Sequence, residues 1–428
     1  MNHRLLIATT LVLASAGCAH FTSRPLDAGS TATQLTARRL GARRWTLSAL
    51  VDEAVKNHTD IALTQAQYET AKATIVTAGE RLNPTITVGP QIVTPFKLNA
   101  GSYALDFDWP IETAGKRGHR LAQAHEQVRA AALRITDASW QVRSRVRKAL
   151  LELYAGQSKK VLIEAEVVQQ QQVVAAMNVR VAAGELGRPE TIQARLLLAQ
   201  FQLQSADATK ASILGKASLA EALGMSVEGL AGATFAFAPF ENRLAPRNIR
   251  ALQRAALTQR ADVLASLADY VVAEAALRLE IAKQYPDIHL NPGYQFDAGL
   301  NKWALGFTIT PPLLSHNAGP IAEAEGKRAE AAAKFNSVQA KALAEVERAE
   351  AGINAAQLKF TMTQSLLVEQ EKQLVSAKKI AAVGAADHLS VVAAQLEHDA
   401  AAAARLDAHV EFQQALGDLE AATQTTLQ

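Results

Sequence analysis

The residue types that could carry out catalysis are few and poorly spaced. Ser315 precedes His316, but a hydroxyl and an imidazole that are neighbours in sequence do not form a catalytic triad, in which the histidine also contacts an acidic residue. We therefore interpret this dipeptide as part of a structural turn. The sequence predicts no enzymatic activity.

The ten histidines also give little support for a metal site. His398 and His409 would share a helical face, but three turns of helix separate them by about 16 Å. His119 and His125 lie six residues apart and fall on different helical faces, so no zinc-type spacing is present. Thioether ligands are equally scarce, because the mature chain offers only Met177, Met225 and Met362. We expect no bound metal and no cofactor.

Cys18 is the only cysteine, and it ends a segment with the features of a bacterial export signal. Arg4 precedes an apolar run that is too short to span a membrane. The residues SAGC resemble a lipobox, although Ser15 replaces the usual leucine, and this resemblance implies that Cys18 is acylated after cleavage. Ala19 is not the aspartate that retains a lipoprotein at the inner membrane. We expect a signal peptide over residues 1–17 and a lipidated extension over 18–44.

Composition favours a mainly helical protein without a polyanionic partner. Apolar residues make up 49% and aromatic residues 5%, and 44 basic side chains stand against 41 acidic ones. This balance gives no reason to expect nucleic-acid binding. One basic cluster, GKRGHR at residues 115–120, opens a predicted long helix. It is either a solvated anchor or a contact for lipid phosphate or substrate.

Four short segments alternate apolar and polar side chains with a period of two, which is typical of strands with one apolar face. They cover residues 85–93, 102–109, 287–296 and 302–310. A soluble sheet would need a protein layer over that face, but the flanking helices are Ala-rich and too long to fold over it. Lipid would supply the layer. Because four strands cannot close a barrel, several copies of the chain must combine their strands.

The chain repeats its own pattern at a lag of about 200 residues. The repeat predicts two halves, each with a helix, two strands, a long helix, a turn and a further helix. We place these halves at residues 45–224 and 247–428, with a connector over 225–246. Apolar residues recurring every seven positions indicate supercoiled long helices. The predicted long helices cover residues 113–183, 189–223, 319–383 and 388–424.

Taken together, these features resemble the TolC family of outer-membrane efflux proteins. The resemblance rests on the doubled layout, on Pro84 and Pro286 before the strands, and on the Gly184 and Gly384 turns. The segment containing GKRG is similar to the CzcC-type heavy-metal efflux branch, whereas Ser315 and His316 depart from its pattern. The resemblance implies a mainly α homotrimer with a small β part, in which a twelve-stranded barrel in the outer membrane continues into an α-helical periplasmic tunnel. Such proteins are passive ducts that dock on a periplasmic adaptor and an inner-membrane pump, often of the resistance-nodulation-division (RND) type.

The resemblance also assigns roles to individual residues. The wet interior of the barrel would be lined by Asp106, Asp108 and Lys302. Its lipid-facing surface would carry Tyr103, Leu105, Phe107, Trp109, Trp303, Leu305 and Phe307. The periplasmic tips that dock the adaptor would include Gly184, Glu185, Leu186, Val383, Gly384 and Ala385. The usual acidic gate position is Ala393 here, so Asp387 and Glu185 are possible substitutes, or else solvated caps.

Two alternatives remain open at this stage. The same architecture serves drug efflux and type I protein secretion, and the sequence does not name the exported substrate, the pump or the adaptor. A protein of another class, a structural coiled-coil lipoprotein of the envelope, would explain the helices but leave the strands without a role. All of these readings place the chain in the envelope of a Gram-negative bacterium, and the duct places it in the outer membrane.

Overall fold

The computed structural model describes residues 20–91, 102–185, 187–241, 248–297, 299–383, 385 and 388–427. Within these residues the fold is mainly helical, as the sequence predicts. The helices are α1 Ala28–Ala37, α2 Leu47–Asn57, α3 Thr59–Gly79, α4 Lys116–Ala182, α5 Arg188–Ala222, α6 Ile249–Gln259, α7 Ala261–Ala282, α8 Ala318–Ala382 and α9 His388–Thr423. None of the helices in the described residues combines the length and hydropathy needed to cross a bilayer.

Four strands form one antiparallel sheet. They are β2 Thr85–Gln91, β3 Ser102–Ile111, β5 Ile288–Asp297 and β6 Leu300–Ile309, in the spatial order β2, β3, β5, β6. Two further short strands, β1 Arg44–Trp45 and β4 Thr234–Phe235, pair in parallel elsewhere. Within the part of the chain that the structure describes, β2 and β6 each have one neighbour, so the four-stranded sheet ends in two unpaired edges.

The long helices pack as two antiparallel pairs, α4 with α5 and α8 with α9, and α4 also packs against α9. The prediction placed the start of the first long helix at residue 113, whereas α4 begins at Lys116. Ala114 and Gly115 have φ angles of 53° and 70°, which a right-handed helix does not allow. The chain therefore turns sharply between the end of β3 and the start of α4.

Each short helix before a strand pair is interrupted once, which the sequence pattern does not reveal. His58 lies between α2 and α3 with φ and ψ of −70° and 134°, and Arg260 lies between α6 and α7 with −58° and 140°. Both side chains are buried. The end of another helix lies beside each break. Arg260 Nη1 donates to the carbonyl oxygen of Ala422 in α9 at 2.8 Å. A Cβ atom built on Gly224, just after α5, would lie 3.7 Å from His58 Cδ2.

The predicted connector between the two halves contains regular structure. Its described part holds two 3₁₀ turns, at Val227–Leu230 and Ala238–Phe240, with β4 between them. Leu230 and Phe240 are buried in a core that also contains Leu50, Leu150 and Leu219. The connector thus closes the outer end of that core, and its apolar side chains hold it there.

Candidate functional site

The sheet has one continuous apolar face. Antiparallel register places Phe107 opposite Ile86, Leu105 opposite Tyr294, and Trp303 opposite Tyr294 on its other side. Residues opposite each other share a face, so the seven side chains predicted to face lipid all lie on one side. In the single chain this face is uncovered: Trp303, Leu305 and Phe307 are 80%, 83% and 72% exposed.

Aromatic rings gather where the apolar face reaches the loop end of the sheet. Tyr103 stacks on Phe296 with ring centroids 5.2 Å apart, and Tyr294 packs against Trp303 at 4.8 Å. The Tyr294 hydroxyl donates to Asn301 Oδ1 at 2.6 Å. An apolar ring with a satisfied polar tip is the arrangement found at membrane–water interfaces.

The opposite face of the sheet is polar and internally hydrogen-bonded. His289 Nδ1 lies 2.9 Å from Asp108 Oδ1, and Asn291 Nδ2 donates to the same carboxylate at 3.3 Å. Lys302 Nζ donates to Asp297 Oδ2 at 2.7 Å. Asp106 lies on this face too, opposite Gly293. The three residues predicted to line a wet interior therefore share one side of the sheet, with His289 and Asp297 as partners that the sequence reading did not name.

The GKRGHR segment ties the base of the sheet to the helices. Lys116 is only 7% exposed, and its Nζ donates to Asp287 Oδ1 and to the carbonyl oxygen of Tyr285, both at 2.7 Å. Arg117 Nε donates to the carbonyl oxygen of Gly79 at 2.7 Å. Arg120 pairs with Glu112. The interpretation of this segment as a solvated anchor is wrong for Lys116.

These contacts also explain why the basic residues are placed at a helix start. Carbonyl groups at the end of a helix have no intrahelical partner and carry a partial negative charge. Arg117 and Arg120 reach the last carbonyls of α3, and Asn317 Nδ2 donates to the carbonyl oxygen of Glu280 near the end of α7 at 2.7 Å. Helix ends at the base of the sheet are thereby capped by side chains from the next long helix.

Comparison with known proteins identifies the fold. The sequence model described as "Outer membrane efflux protein" matches residues 50–225 and 252–424. This chain belongs to the outer membrane efflux protein family. The membership confirms the family that the sequence resembles, and it is a family of efflux proteins of the outer membrane rather than of enzymes.

Individual relatives of this efflux protein are distant. Cobalt-zinc-cadmium resistance protein CzcC of Cupriavidus metallidurans is 23% identical over 279 residues, which span 64% of this chain and 65% of CzcC, just under two thirds of the relative. A membrane protein from Pseudomonas aeruginosa superposes with a TM-score of 0.72 at 22% identity, covering 88% of this chain and 93% of that one. VceC from Vibrio cholerae gives 0.72 at 21% identity, covering 89% and 97%. At these identities the structures show a common fold.

Of the residues that the efflux-family resemblance assigns to the tips, the described ones lie in the turns after α4 and α8. Gly184 adopts a φ of +76°, and Glu185 lies 3.2 Å from Arg180 Nε. Val383 is exposed, and the backbone N–H of Ala385 donates to the carbonyl oxygen of Ile380 at 3.1 Å. Other predicted site residues lie outside the described residues, and they are Cys18, Leu186, Gly384 and Asp387.

The histidines and the usual gate position of this efflux protein have separate surroundings. Within the described ranges, no three His, Cys, Asp or Glu side chains are placed to hold an ion. His398 Nδ1 lies 2.9 Å from Asp399, whereas His409 Nε2 lies 2.7 Å from the carbonyl oxygen of Phe240. Ala393, at the usual gate position, lines a cavity of about 450 Å³ between α4, α5 and α9.

Sequence reasoning missed a buried polar cluster at the middle of the molecule. Arg147 is 2% exposed, and its Nη1 donates to the carbonyl oxygen of Gln413 at 2.7 Å. Its Nε lies 3.4 Å from Glu420 Oε2. Gln413 Nε2 in turn donates to the carbonyl oxygen of Phe240 at 3.0 Å. No local signal marks this cluster, because the partners are 266 residues apart in the chain.

Proposed function

We propose that this protein is the outer-membrane exit duct of a tripartite efflux system, and that its sheet is one third of a membrane-spanning barrel. The observation that carries the proposal is the uncovered apolar face opposite a polar one, on a sheet with two open edges. A strand of ten residues tilted by about 45° spans about 23 Å, close to the apolar band of an outer-membrane barrel. Lipid is the partner that this face fits.

The number of copies follows from the size of the pore. Each chain supplies four strands, and an eight-stranded barrel has an interior that side chains just fill. Two copies would therefore leave no duct. Three copies close a twelve-stranded barrel around an open interior, and the pairing of β2 of one copy with β6 of the next satisfies every edge group.

In this arrangement the two faces acquire different solvents. Tyr103, Leu105, Phe107 and Trp109 of β3 face lipid, and so do their neighbours on β6. Asp106, Asp108 and Lys302 line the water-filled interior. The long helices extend the duct below the membrane, since the 67 residues of α4 make a rod of about 100 Å.

The remaining assignments extend this proposal to its partners. An acyl chain on Cys18 would tether the amino terminus to the outer membrane. The turns around Gly184 and Val383 lie at the far ends of the long helices and would dock a periplasmic adaptor, which connects to an RND-type pump. The duct itself would be passive, because the pump would supply the energy for transport.

Divalent metal cations are the cargo that we propose. CzcC carries cobalt, zinc and cadmium resistance in its name, and this chain shares the GKRG segment typical of that branch. Among the described residues, the polar face offers the aspartates Asp106, Asp108 and Asp297 together with Lys302. An acidic wall lowers the electrostatic barrier for cations relative to anions.

The duct is tested by purifying the full-length protein in mild detergent and measuring its mass and its conductance in planar lipid bilayers. We expect a particle of three chains that requires detergent and that forms ion-conducting pores. A monodisperse monomer that stays dissolved without amphiphile would contradict the proposal. Cargo is tested separately: a deletion strain should become sensitive to zinc, cobalt and cadmium, whereas sensitivity to dyes and antibiotics alone would favour drug efflux.

A further inference from the structure

Asp108 and His289 meet across two strands on the polar face of the sheet. His289 Nδ1 lies 2.9 Å from Asp108 Oδ1 and 3.2 Å from Asp108 Oδ2. The two residues are 181 positions apart in the chain, so no spacing in the sequence reveals the pair. The side chains of His289 and Asp108 are 35% and 41% exposed, and a dissolved ion can therefore approach both of them.

The separation of these atoms is that of two ligands on one metal ion. Zinc binds an imidazole nitrogen at about 2.0–2.1 Å and a carboxylate oxygen at about 2.0–2.2 Å. Two such ligands are about 3.4 Å apart on a tetrahedral ion and about 3.0 Å apart on an octahedral one. The distance of 3.2 Å between His289 Nδ1 and Asp108 Oδ2 lies between these values. An ion thus fits between the two atoms with little movement of either side chain.

A chain of hydrogen bonds positions the carboxylate. Asn291 Nδ2 donates to Asp108 Oδ1 at 3.3 Å, and Thr308 Oγ1 donates to Asn291 Oδ1 at 2.8 Å. Thr308 also lies opposite His289 in the register of β5 and β6. Side chains that orient a ligand in this way raise the affinity of a metal site. Because Asn291 is bonded to Oδ1, Oδ2 is the oxygen that is left for an ion.

Two lysines near the pair are bonded to other acids. Lys302 donates to Asp297 at the loop end of the sheet, about 20 Å along the strands from His289. Lys116, at the base of the sheet, donates to Asp287. Neither ammonium group is bonded to the carboxylate of the pair, so the negative charge of that carboxylate remains for an ion.

We propose that Asp108 and His289 form a binding site for divalent transition-metal cations, with Oδ2 and Nδ1 as ligands and water completing the coordination shell. An imidazole and a carboxylate together suit zinc and cobalt, whereas magnesium and calcium prefer oxygen ligands alone. With two protein ligands the ion exchanges readily with solvent, as cargo in a channel must. The role in transit rests on the proposed duct, in which each of the three copies places one such site on the wall of the pore.

Binding changes which nitrogen of the imidazole is reactive. In the metal-free pair the hydrogen on Nδ1 points at the carboxylate, so the lone pair of the neutral ring is on Nε2. An ion on Nδ1 takes the lone pair of that nitrogen, and the hydrogen moves to Nε2. The metal-bound ring therefore has no free lone pair. Diethyl pyrocarbonate acylates neutral imidazole at a free lone pair, so it distinguishes the two states.

The test treats the full-length protein in detergent with this reagent at neutral pH and increasing zinc concentration. Peptide mass spectrometry measures the acylation of each histidine. We expect zinc to protect His289 until the effect saturates, and magnesium at the same concentration to give no protection. His125 is exposed on α4 and reports any general effect of zinc. An unprotected His289, equal protection by magnesium, or equal protection of His125 would overturn the proposal.

Asp108→Asn tests the second ligand, because the amide keeps the shape of the side chain and removes its charge. We expect the zinc concentration that half-protects His289 to rise by about tenfold or more. The matched control is Asp106→Asn on the same face of β3, opposite Gly293. It should raise that concentration much less, since it changes only the electrostatic potential of the face. Equal shifts from the two variants would mean that zinc responds to the charge of the face alone, and the site would be refuted.

A second measurement connects the site with the duct. Zinc should reduce the single-channel current of the pores in planar bilayers, and His289→Asn should abolish this reduction. Zinc that protects His289 but leaves the current unchanged would overturn the role in transit. Failure of the duct would appear as a monomer that forms no pores, whatever the protection of His289. Failure of the site would appear as an unprotected His289 in trimers that conduct.

Discussion

Arg147 lies directly across the backbone of Gly417, so a side chain of any size at position 417 would collide with its guanidinium. A Cβ atom built on Gly417 falls 3.1 Å from Arg147 Cζ and closer still to Nη1. The same guanidinium donates to Gln413, approaches Glu420 and lies 5.6 Å above the Phe240 ring. The buried guanidinium of Arg147 on α4 thus contacts both α9 and the connector. It occupies the space that the absent side chain of Gly417 leaves.

We predict that Gly417→Ala destabilises the protein by about 1–3 kcal/mol, because the added methyl group displaces a buried, hydrogen-bonded arginine. Thermal melting in detergent, followed by circular dichroism, measures the loss. Gly326→Ala is the control: it lies on α8 with nothing within 4 Å of the added Cβ, so it should be neutral or stabilising by up to about 1 kcal/mol. Equal melting temperatures for the two variants would contradict the prediction.

The crossing of α4 and α5 depends on two further glycines. A Cβ on Gly156 would lie 2.7 Å from the backbone nitrogen of Ser212, and one on Gly215 would lie 2.8 Å from Leu153 Cα. Because the obstacles are backbone atoms, the helices themselves must move apart. We expect Gly156→Ala to lower the melting temperature and to speed proteolysis near the α4–α5 turn.

Gly118→Ala on the same helix, where the added Cβ meets no atom within 4 Å, should do neither. Tolerance of alanine at both 156 and 118 would contradict the close approach of α4 and α5 at Gly156.

His58 makes the stability of the fold depend on pH. Burial, then the charge of Arg145, lowers the pKa of His58, and the opposing effect of Asp60 is smaller. Its Nδ1 accepts a hydrogen bond from the backbone N–H of Asp60 at 3.1 Å. The folded protein therefore holds His58 neutral, and this stability is present above the ordinary histidine pKa of about 6.5 and lost as the pH falls through the lowered value.

We predict that His58→Asn weakens the acid sensitivity of thermal unfolding between about pH 7 and about pH 5. Asparagine is a good helix N-cap, so the variant keeps an acceptor for the Asp60 amide without a proton to gain. His125→Asn, at an exposed position of α4, should leave the pH profile unchanged. Identical profiles for all three proteins would refute the role of His58.

The sheet could be predicted from sequence because its signal is local. Alternation along SYALDFDW assigns each side chain to a face without reference to any other segment, and the register of β3 with β2 and β5 agrees with that assignment. Heptad spacing likewise predicted long helices. In both cases neighbours in sequence decide the structure.

The remaining features depend on distant partners. Arg147 and Glu420 read as surface charges on helices, because the acceptors and the Phe240 ring that surround them belong to other segments. The GKRGHR segment also reads as solvated, although Arg117 donates to a helix end 38 residues away and Lys116 to a carbonyl oxygen 169 residues away. Neither glycine nor proline occurs next to His58 or Arg260, so the local sequence does not predict a helix break at either position. Each break forms where another helix ends against it.

The assignment of the two faces of the sheet can be tested with neighbouring residues on β6. Leu305 lies on the apolar face opposite Pro292, whereas Ala304 lies on the polar face opposite Gly293, and both are exposed in the single chain. We predict that Leu305→Lys prevents stable insertion, since a lysine facing the bilayer midplane costs about 2–4 kcal/mol in each copy. Ala304→Lys should insert normally, because its ammonium group meets water in the pore.

Insertion is measured by fractionating outer membranes and by detecting heat-resistant oligomers on gels. The variants Leu105→Lys and Ala104→Lys repeat the comparison on β3. Equal insertion of both members of a pair would mean that hydrocarbon does not cover the face that carries Trp303 and Phe307.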